Sequence, residues 1–90
     1  MLEFSYSPKF KRDAKQVVFK GRDIMKIFPP VILLLNKQPL PPQYRDHLLK
    51  GDWSGYRDFH IESDWIVIYR IVDNLLVLER TGTHSDLFGE

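Results

Sequence analysis

The sequence has 90 residues, of which 43% are hydrophobic and 28% are charged, and these values are typical of one globular domain. They exclude a two-domain enzyme and a disordered chain. The absence of cysteine excludes a disulfide framework, a thiolate nucleophile and a cysteine zinc site. No apolar run approaches the roughly 20 residues of a membrane span, and no secretory signal pattern is present. We therefore expect a cytoplasmic protein without a membrane partner.

The formal net charge of +1 conceals a difference between the two halves of the chain. Residues 1–50 contain ten Lys or Arg and four Asp or Glu, a balance of +6, whereas residues 51–90 contain three and eight, a balance of −5. The basic excess is densest between Lys9 and Lys26, where it can attract phosphates. A solvent-exposed helix face explains the same charges, so charge alone does not identify a nucleic-acid binder.

The chain begins with patterns of one strand and two helices. Alternating apolar and polar side chains over residues 2–6 predict a short strand. Ser7 followed by Pro8 is typical of an N-cap with proline in the first helical turn, and apolar residues then recur with helical spacing. Asp23 is a suitable cap for a second helix. The Pro29-Pro30 pair predicts a kink in that second helix, or a short turn followed by a restart at Pro29 or Pro30.

The second half predicts a loop followed by three strands. Turn residues dominate from Asn36 to Trp53. Two-residue links, at Glu62-Ser63 and Asp73-Asn74, then separate strand-like runs and indicate tight antiparallel hairpins. These runs are Tyr56 to Ile61, Asp64 to Val72 and Leu75 to Thr81. The element order predicts a single α+β domain over residues 1–90, with two N-terminal helices packed on one face of a small, largely antiparallel four-stranded sheet.

Two-residue turns also predict the register of these hairpins. Pairing of Ile61 with Asp64 and of Val72 with Leu75 places Val67 between Asp58 and Arg80, and directly opposed residues share a face of the sheet. One face should then carry Tyr56, Asp58, His60, Trp65, Val67, Tyr69, Leu76, Leu78 and Arg80. The other, packed against the helices, should carry Phe59, Ile61, Ile66, Ile68, Leu75 and Val77.

The second half also contains all three histidines, His47, His60 and His84. Metal-free cleavage of RNA needs a base, an acid and a cation that holds the charged phosphorane. Histidine can serve as acid or base near neutral pH, and arginine binds phosphate through a planar fork. An RNase is therefore one interpretation, with Tyr56, Trp65 and Phe88 able to stack on bases. Surface histidines and an ordinary Asp58–Arg80 ion pair are the structural alternative.

A metal site is a further alternative, because His47, His60, His84 and Asp64 are residue types that bind zinc. Their spacing matches no short ligand motif, so we expect neither a metal ion nor a cofactor.

Several spaced motifs resemble one known family. The segment from Pro39 to Arg70 contains YRDH, GxWxGYRDxH and DWxxxY, and Glu79 to Gly89 reads ERTGTHSDLFG. In this order, they closely resemble the YafQ toxins of the RelE/ParE superfamily. The resemblance implies a RelE-like, microbial-RNase-like fold and a type II toxin that enters the ribosomal A site and cleaves mRNA without a metal ion. It also implies the 70S ribosome, mRNA and a cognate DinJ-like antitoxin as partners.

The family's functional positions carry over onto His47, Asp58, His60, Asp64, Trp65, Arg80, His84 and Phe88. By this resemblance, His84 is expected to be the general acid and Asp64 or His60 the base, while His47 positions or activates the ribose. Arg80 would stabilise the phosphorane. Asp58, Trp65 and Phe88 would bind substrate, and Lys11 and Lys15 of the basic helix would add contacts to the ribosome.

Two other functions fit parts of the pattern. A ParE-like toxin that inhibits DNA gyrase by binding has a similar fold, but it has no need of three histidines at the matched positions. A passive RNA-binding module would explain only the basic helices.

The chain also departs from the family in two places, with Leu48 where a proline usually follows the loop histidine and with Pro29-Pro30 where ordinary helix formers are usual. The first departure concerns the rigidity of the loop that carries His47.

Overall fold

The computed structural model describes residues 1–89. It contains β1 Glu3–Tyr6, α1 Pro8–Phe19, α2 Phe28–Leu35, β2 His47–Leu48, β3 Arg57–Glu62, β4 Trp65–Val72, β5 Leu75–Gly82 and α3 His84–Phe88. Short 3-10 turns lie at Ile24–Ile27, Pro42–Tyr44 and Gly51–Trp53. Within the described residues, no helix is long and apolar enough to cross a membrane.

The two N-terminal helices begin at the predicted caps. The Ser7 side chain accepts a hydrogen bond of 3.0 Å from the backbone N–H of Phe10, which fixes the first turn of α1. Asp23 caps the following 3-10 turn. The Pro29-Pro30 pair lies in the first turn of α2. Backbone N–H groups in a first turn have no acceptor within the helix, so proline costs no hydrogen bond there. A short turn followed by a restart of the helix is therefore confirmed, but the restart begins at Phe28, one residue before the predicted Pro29.

The sheet has five strands in the order β1-β5-β4-β3-β2. β1 runs parallel to β5, and the other neighbouring strands are antiparallel. A largely antiparallel sheet is therefore confirmed, but the predicted count of four strands is wrong. The additional strand, β2, has only two residues, and the additional helix, α3, has five. Elements this short contain too few residues to show a hydrophobic period.

A β-bulge changes the predicted pairing of β3 with β4. The turn lies one residue later than predicted, at Ser63-Asp64, and the register shifts between His60 and Glu62. His60 consequently opposes Ile66 instead of Trp65. Because side chains alternate between the faces of a strand, a shift of one residue moves every later side chain of β4 to the other face.

A second bulge interrupts the pairing of β4 with β5. The turn is at Asp73-Asn74 as predicted, but beyond the bulge Arg80 opposes Ile68 instead of Val67. Asp58 of β3 opposes the same isoleucine from the other side. Asp58 and Arg80 therefore share one row of the sheet, as predicted, although the residue between them is different.

These shifts divide the apolar side chains between two clusters. The cluster under α1 and α2 contains Phe59, Trp65, Val67, Tyr69, Leu76 and Leu78, of which only Phe59 was predicted for that face. A second cluster, on the opposite face, contains Ile66 and Ile68 with Leu87 of α3, and Tyr56 packs against it. Leu75 and Val77 belong to neither cluster, and Ile61 packs against the first. The main core is therefore formed by the residues predicted for the other face.

Candidate active site

Three histidines and one aspartate meet on the face that carries the second cluster. His47 comes from β2, Asp58 and His60 from β3, and His84 from the start of α3. The ring centroids of His47 and His60 are 6.3 Å apart, and those of His60 and His84 are 5.4 Å apart. We call these four residues the histidine cluster. The fold brings them together because β2 pairs His47 directly with Asp58, and α3 begins where β5 ends.

Asp58 lies behind His47 and is 1% exposed. Its Oδ1 is 3.0 Å from His47 Nδ1, at ion-pair distance but without the alignment of a hydrogen bond. The same nitrogen is 2.8 Å from the carbonyl oxygen of Arg45. Because a carbonyl oxygen only accepts, this contact places a proton on Nδ1 and leaves Nε2 of the half-exposed His47 free to exchange one. The expected direct contact of Asp58 with substrate is corrected by its burial, since Asp58 can act only through its neighbours.

Burial shifts the titration of Asp58 and His60 in opposite directions. Loss of solvent raises the pKa of Asp58, while the positive charge of nearby imidazolium groups partly opposes the shift. Loss of solvent lowers the pKa of His60 against the opposing attraction of Asp58. The Nδ1 atom of His60 is buried and has no hydrogen-bond partner among residues 1–89. His60 is therefore neutral at neutral pH and can accept a proton.

Asp64 and His84 form a contact on the open side of the histidine cluster. Asp64 lies in the β3–β4 turn, and its side chain is 63% exposed. Its Oδ1 accepts a 3.4 Å hydrogen bond from the backbone N–H of His84 and is 3.5 Å from the ring Nδ1. The Thr83 and Asp86 side chains form a reciprocal capping box that fixes this end of α3. The predicted acid and one predicted base are thus adjacent and accessible.

Arg80 lies outside the histidine cluster. Its Nε and Nη2 atoms donate to the two carboxylate oxygens of Asp13 in α1, at 2.6 and 3.1 Å. These bonds raise the pKa of Arg80. Nη1 makes no hydrogen bond within the described part of the chain. The Cα atoms of Arg80 and Asp58 are separated by two strand spacings, about 10 Å, because Ile68 lies between them.

Two of the three predicted aromatic side chains, Trp65 and Phe88, occupy different environments. Trp65 is fully buried in the core under the helices, and its indole N–H donates a 2.8 Å hydrogen bond to Thr81. The expectation that Trp65 shapes a base pocket is therefore corrected, because no face of its ring is free. Phe88 lies 5.9 Å from the His84 ring and is partly exposed. Trp53, within the GxWxGYRDxH motif but absent from the predicted site, packs edge-on against Phe88 at 6.4 Å.

Lys11 and Lys15 lie on α1, on a different surface from the histidine cluster. Both are exposed. They border an apolar groove of about 470 Å³ that is lined by β1, α1 and the 3-10 turn after α1. A role in binding the ribosome would therefore be separate from the residues that perform the chemistry.

Three members of the histidine cluster could also hold a metal ion. One ligand atom each from His47, Asp58 and His60 lie within 4.8 Å of one another. Two imidazole nitrogens and a carboxylate oxygen are suitable ligands for Zn²⁺ or Cu²⁺. This geometry departs from the expectation of no metal site, because the ligands are brought together by strand pairing and not by a short sequence motif.

Comparison with known proteins gives relatives over nearly the whole chain. Residues 2–89 match the family model described as the bacterial toxin of type II toxin-antitoxin system, YafQ. The mRNA interferase toxin YafQ of Escherichia coli strain K12 is 47% identical over 88 residues, which cover 97% of this chain and 96% of that protein.

Solved structures give the same relationship. The toxin in the crystal structure of the E. coli DinJ–YafQ complex matches with a TM-score of 0.89 and 46% identity, covering 99% of this chain and 100% of that one. A metal-bound toxin from Helicobacter pylori matches with a TM-score of 0.91 and 40% identity, covering 98% and 100%. The chain therefore belongs to the YafQ family of bacterial toxins from type II toxin–antitoxin systems.

Proposed function

We propose that this chain is an endoribonuclease toxin that cleaves mRNA in the ribosomal A site and inhibits translation in the cytoplasm. The observation that carries the proposal is the histidine cluster with Asp64 at its open side. The E. coli relative carries the name mRNA interferase toxin, and its sequence aligns with almost all of this chain. The family and the geometry therefore support the same class of reaction.

The reaction starts when a base removes the proton of a ribose 2′-hydroxyl, whose oxygen then attacks the adjacent phosphorus. His60 suits this role because burial keeps its ring neutral. Asp64 is the second candidate, because its carboxylate is exposed and lies beside His84. His47, with Nδ1 directed at Arg45 and Asp58, presents Nε2 to orient the same hydroxyl.

The reaction ends when the 5′-oxygen leaves and takes a proton. His84 suits the role of acid, because its Nδ1 faces Asp64 and its Nε2 is left to deliver a proton. Arg80 approaches the phosphorane with its free Nη1, and a charge placed there stabilises the transition state. Phe88, partly exposed beside His84, provides a ring for a base to stack on. Every group in this scheme belongs to the protein, and the scheme uses no metal ion.

The partner that neutralises the toxin is a cognate, DinJ-like antitoxin. The E. coli relative has been crystallised in complex with DinJ. In this chain, the segment from Lys9 to Lys26 contains seven basic and two acidic residues, a balance of +5. Such a surface favours an acidic antitoxin segment, and salt should slow their association.

The experiment is primer extension on an mRNA that is incubated with the toxin in the presence and absence of translating ribosomes. We expect new 5′ ends within the reading frame only when ribosomes are present, and none with His84→Ala. Equal cleavage of free RNA would contradict ribosome dependence. Absence of cleavage, together with inhibition of gyrase supercoiling, would support the ParE-like alternative instead.

A further inference from the structure

We infer that Tyr69 and Asp46 are positioning residues for His47, which they hold from the core side of the sheet. The inference rests on the proposed role of His47 in cleavage. Neither residue was among the predicted site residues, and neither belongs to the histidine cluster. Tyr69 is a buried core residue of β4, and Asp46 lies in the loop that precedes β2.

Asp46 ties this loop to two strands of the sheet. Its Oδ1 accepts a 2.6 Å hydrogen bond from the Tyr69 hydroxyl of β4 and a 3.2 Å bond from Arg57 Nε of β3. Tyr69 is 1% exposed, and its ring packs against Phe59 at 5.7 Å. The donor is therefore held rigidly by the core. Burial and the Asp46 carboxylate raise the pKa of Tyr69, so the hydroxyl keeps its proton.

His47 has few other restraints. It belongs to a two-residue strand at the sheet edge, and its side chain is 52% exposed. The preceding Arg45 adopts a left-handed conformation with φ 47° and ψ 43°, which non-glycine residues seldom adopt unless their surroundings hold them there. Asp46 lies between these two residues. By anchoring Asp46, the Tyr69 hydroxyl therefore fixes both the Arg45 carbonyl and the His47 ring that faces it.

The sequence lacks another restraint at this point. Leu48 follows His47, so no pyrrolidine ring fixes the backbone after the histidine. Leu48 is also exposed and contributes little packing. The hydrogen bonds of Asp46 therefore provide the polar tertiary anchor of the loop on its N-terminal side, beside the packing of Tyr44 on Phe59.

Tyr69→Phe tests the inference because it removes one hydroxyl and keeps the ring. We expect the single-turnover rate of mRNA cleavage on ribosomes to fall of the order of tenfold, less than the roughly 10²-fold that a 1 Å misplacement can cause. Ribosome binding should not change. Tyr44→Phe is the matched control: Tyr44 packs against the same Phe59 ring at 6.3 Å, and its hydroxyl makes no hydrogen bond among residues 1–89.

A double-mutant cycle separates positioning from folding. In a His47→Gln background, Tyr69→Phe should cause no further loss of rate, because the positioned ring is already absent. The imidazole NMR signals of His47 should shift in Tyr69→Phe and not in Tyr44→Phe. If Tyr69→Phe does not fold, Asp46→Ala provides the same cycle, because its side chain lies at the edge of the core.

Two results would overturn the inference. One is an unchanged cleavage rate and an unchanged His47 signal in folded Tyr69→Phe. The other is an equal loss of rate in the wild-type and His47→Gln backgrounds, which would mean that Tyr69 acts through the fold as a whole. Failure of the proposed function is distinguishable, since the wild type itself would then cleave no mRNA, whereas failure of the role of His47 alone would leave His47→Gln as fast as the wild type.

Discussion

The two faces of the sheet differ in how their buried polar atoms are satisfied. On the helix side, the Trp65 indole donates to Thr81, whose hydroxyl donates in turn to the carbonyl of Ile66. On the other face, Asp58 Oδ1 and His60 Nδ1 are buried without hydrogen bonds. The first face resembles an ordinary core, whereas the second buries polar atoms that make no hydrogen bond.

This difference separates stability from chemistry. A buried polar atom without a partner costs about 1 to 3 kcal/mol, whereas full burial of a large apolar side chain contributes roughly 1.5 to 3 kcal/mol. The helix-side core therefore offsets the cost of the histidine cluster. The same desolvation lowers the pKa of His60 and makes it available as a base. Substitutions on the two faces should consequently change different properties.

The largest expected effect is that of His84→Ala on cleavage. Positioned acid catalysis is worth about 10²- to 10⁴-fold in rate, and we expect a loss in this range at saturating ribosomes. The His84 side chain is 42% exposed and belongs to neither apolar cluster, so the melting temperature should remain near that of the wild type. Single-turnover cleavage and a thermal melt on the same preparation check both statements. An unchanged rate would remove His84 from the mechanism.

Leu78→Ala should have the opposite profile. Leu78 is fully buried in the core under the helices, and truncation of such a leucine costs about 2 to 5 kcal/mol of unfolding free energy. Urea unfolding measures the loss. The rate per folded molecule should fall much less than in His84→Ala, because Leu78 lies on the face of the sheet opposite the histidine cluster. A rate loss as large as that of His84→Ala would contradict the separation of the two faces.

Lys11→Ala combined with Lys15→Ala tests a surface that belongs to neither face. We expect weaker association with ribosomes and an unchanged single-turnover rate at saturation. If both lysines contact phosphates, the slope of log affinity against log salt should decrease by about 2. Ribosome pelleting at several salt concentrations gives this slope. A slope equal to that of the wild type would exclude both lysines from the interface.

The smallest expected effect is a pH dependence of stability that arises from His60. Its pKa in the folded protein lies below the ordinary value of 6.5, so between these two values the unfolded chain binds a proton that the folded chain does not. The stabilisation is therefore complete above pH 6.5 and is lost as the pH falls towards the lower pKa. Urea midpoints between about pH 5.5 and 7.5, one unit to either side of an ordinary histidine, should fall less steeply in His60→Gln as the pH is lowered.

Local signals predicted the helices better than the sheet. The Ser7 and Asp23 caps act within three residues of the atoms that they bond, so the sequence alone shows them. A β-bulge inserts one extra residue into one strand of a pair, and packing between the strands sets its position. The alternation of apolar residues along the sequence therefore does not show where the bulge lies. The predicted face of every residue from Trp65 onward in β4 was wrong for this reason.

The site was predicted unevenly for a related reason. The motifs supplied His47, His60 and His84, which the structure brings together, but they could not show that Trp65 is in the core or that Arg80 is bound to Asp13. Burial and pairing partners depend on register and on contacts between distant elements. The roles of Tyr69 and Asp46 were hidden in the same way, because their hydrogen bond spans 23 residues.

The most direct test compares two adjacent residues of β3, Phe59 and His60, whose side chains lie on opposite faces of the sheet. The measurement is the single-turnover cleavage rate on ribosomes for Phe59→Leu and His60→Gln, with a urea unfolding curve on each preparation. We predict that Phe59→Leu lowers the unfolding free energy and lowers the rate per folded molecule less than His60→Gln does, because Phe59 acts on the site only through its packing against Tyr69. His60→Gln should lower the rate by about 10²- to 10⁴-fold, the range of general base catalysis, and keep or increase stability. Equal losses of rate in both variants, or a wild-type rate in His60→Gln, would contradict the account.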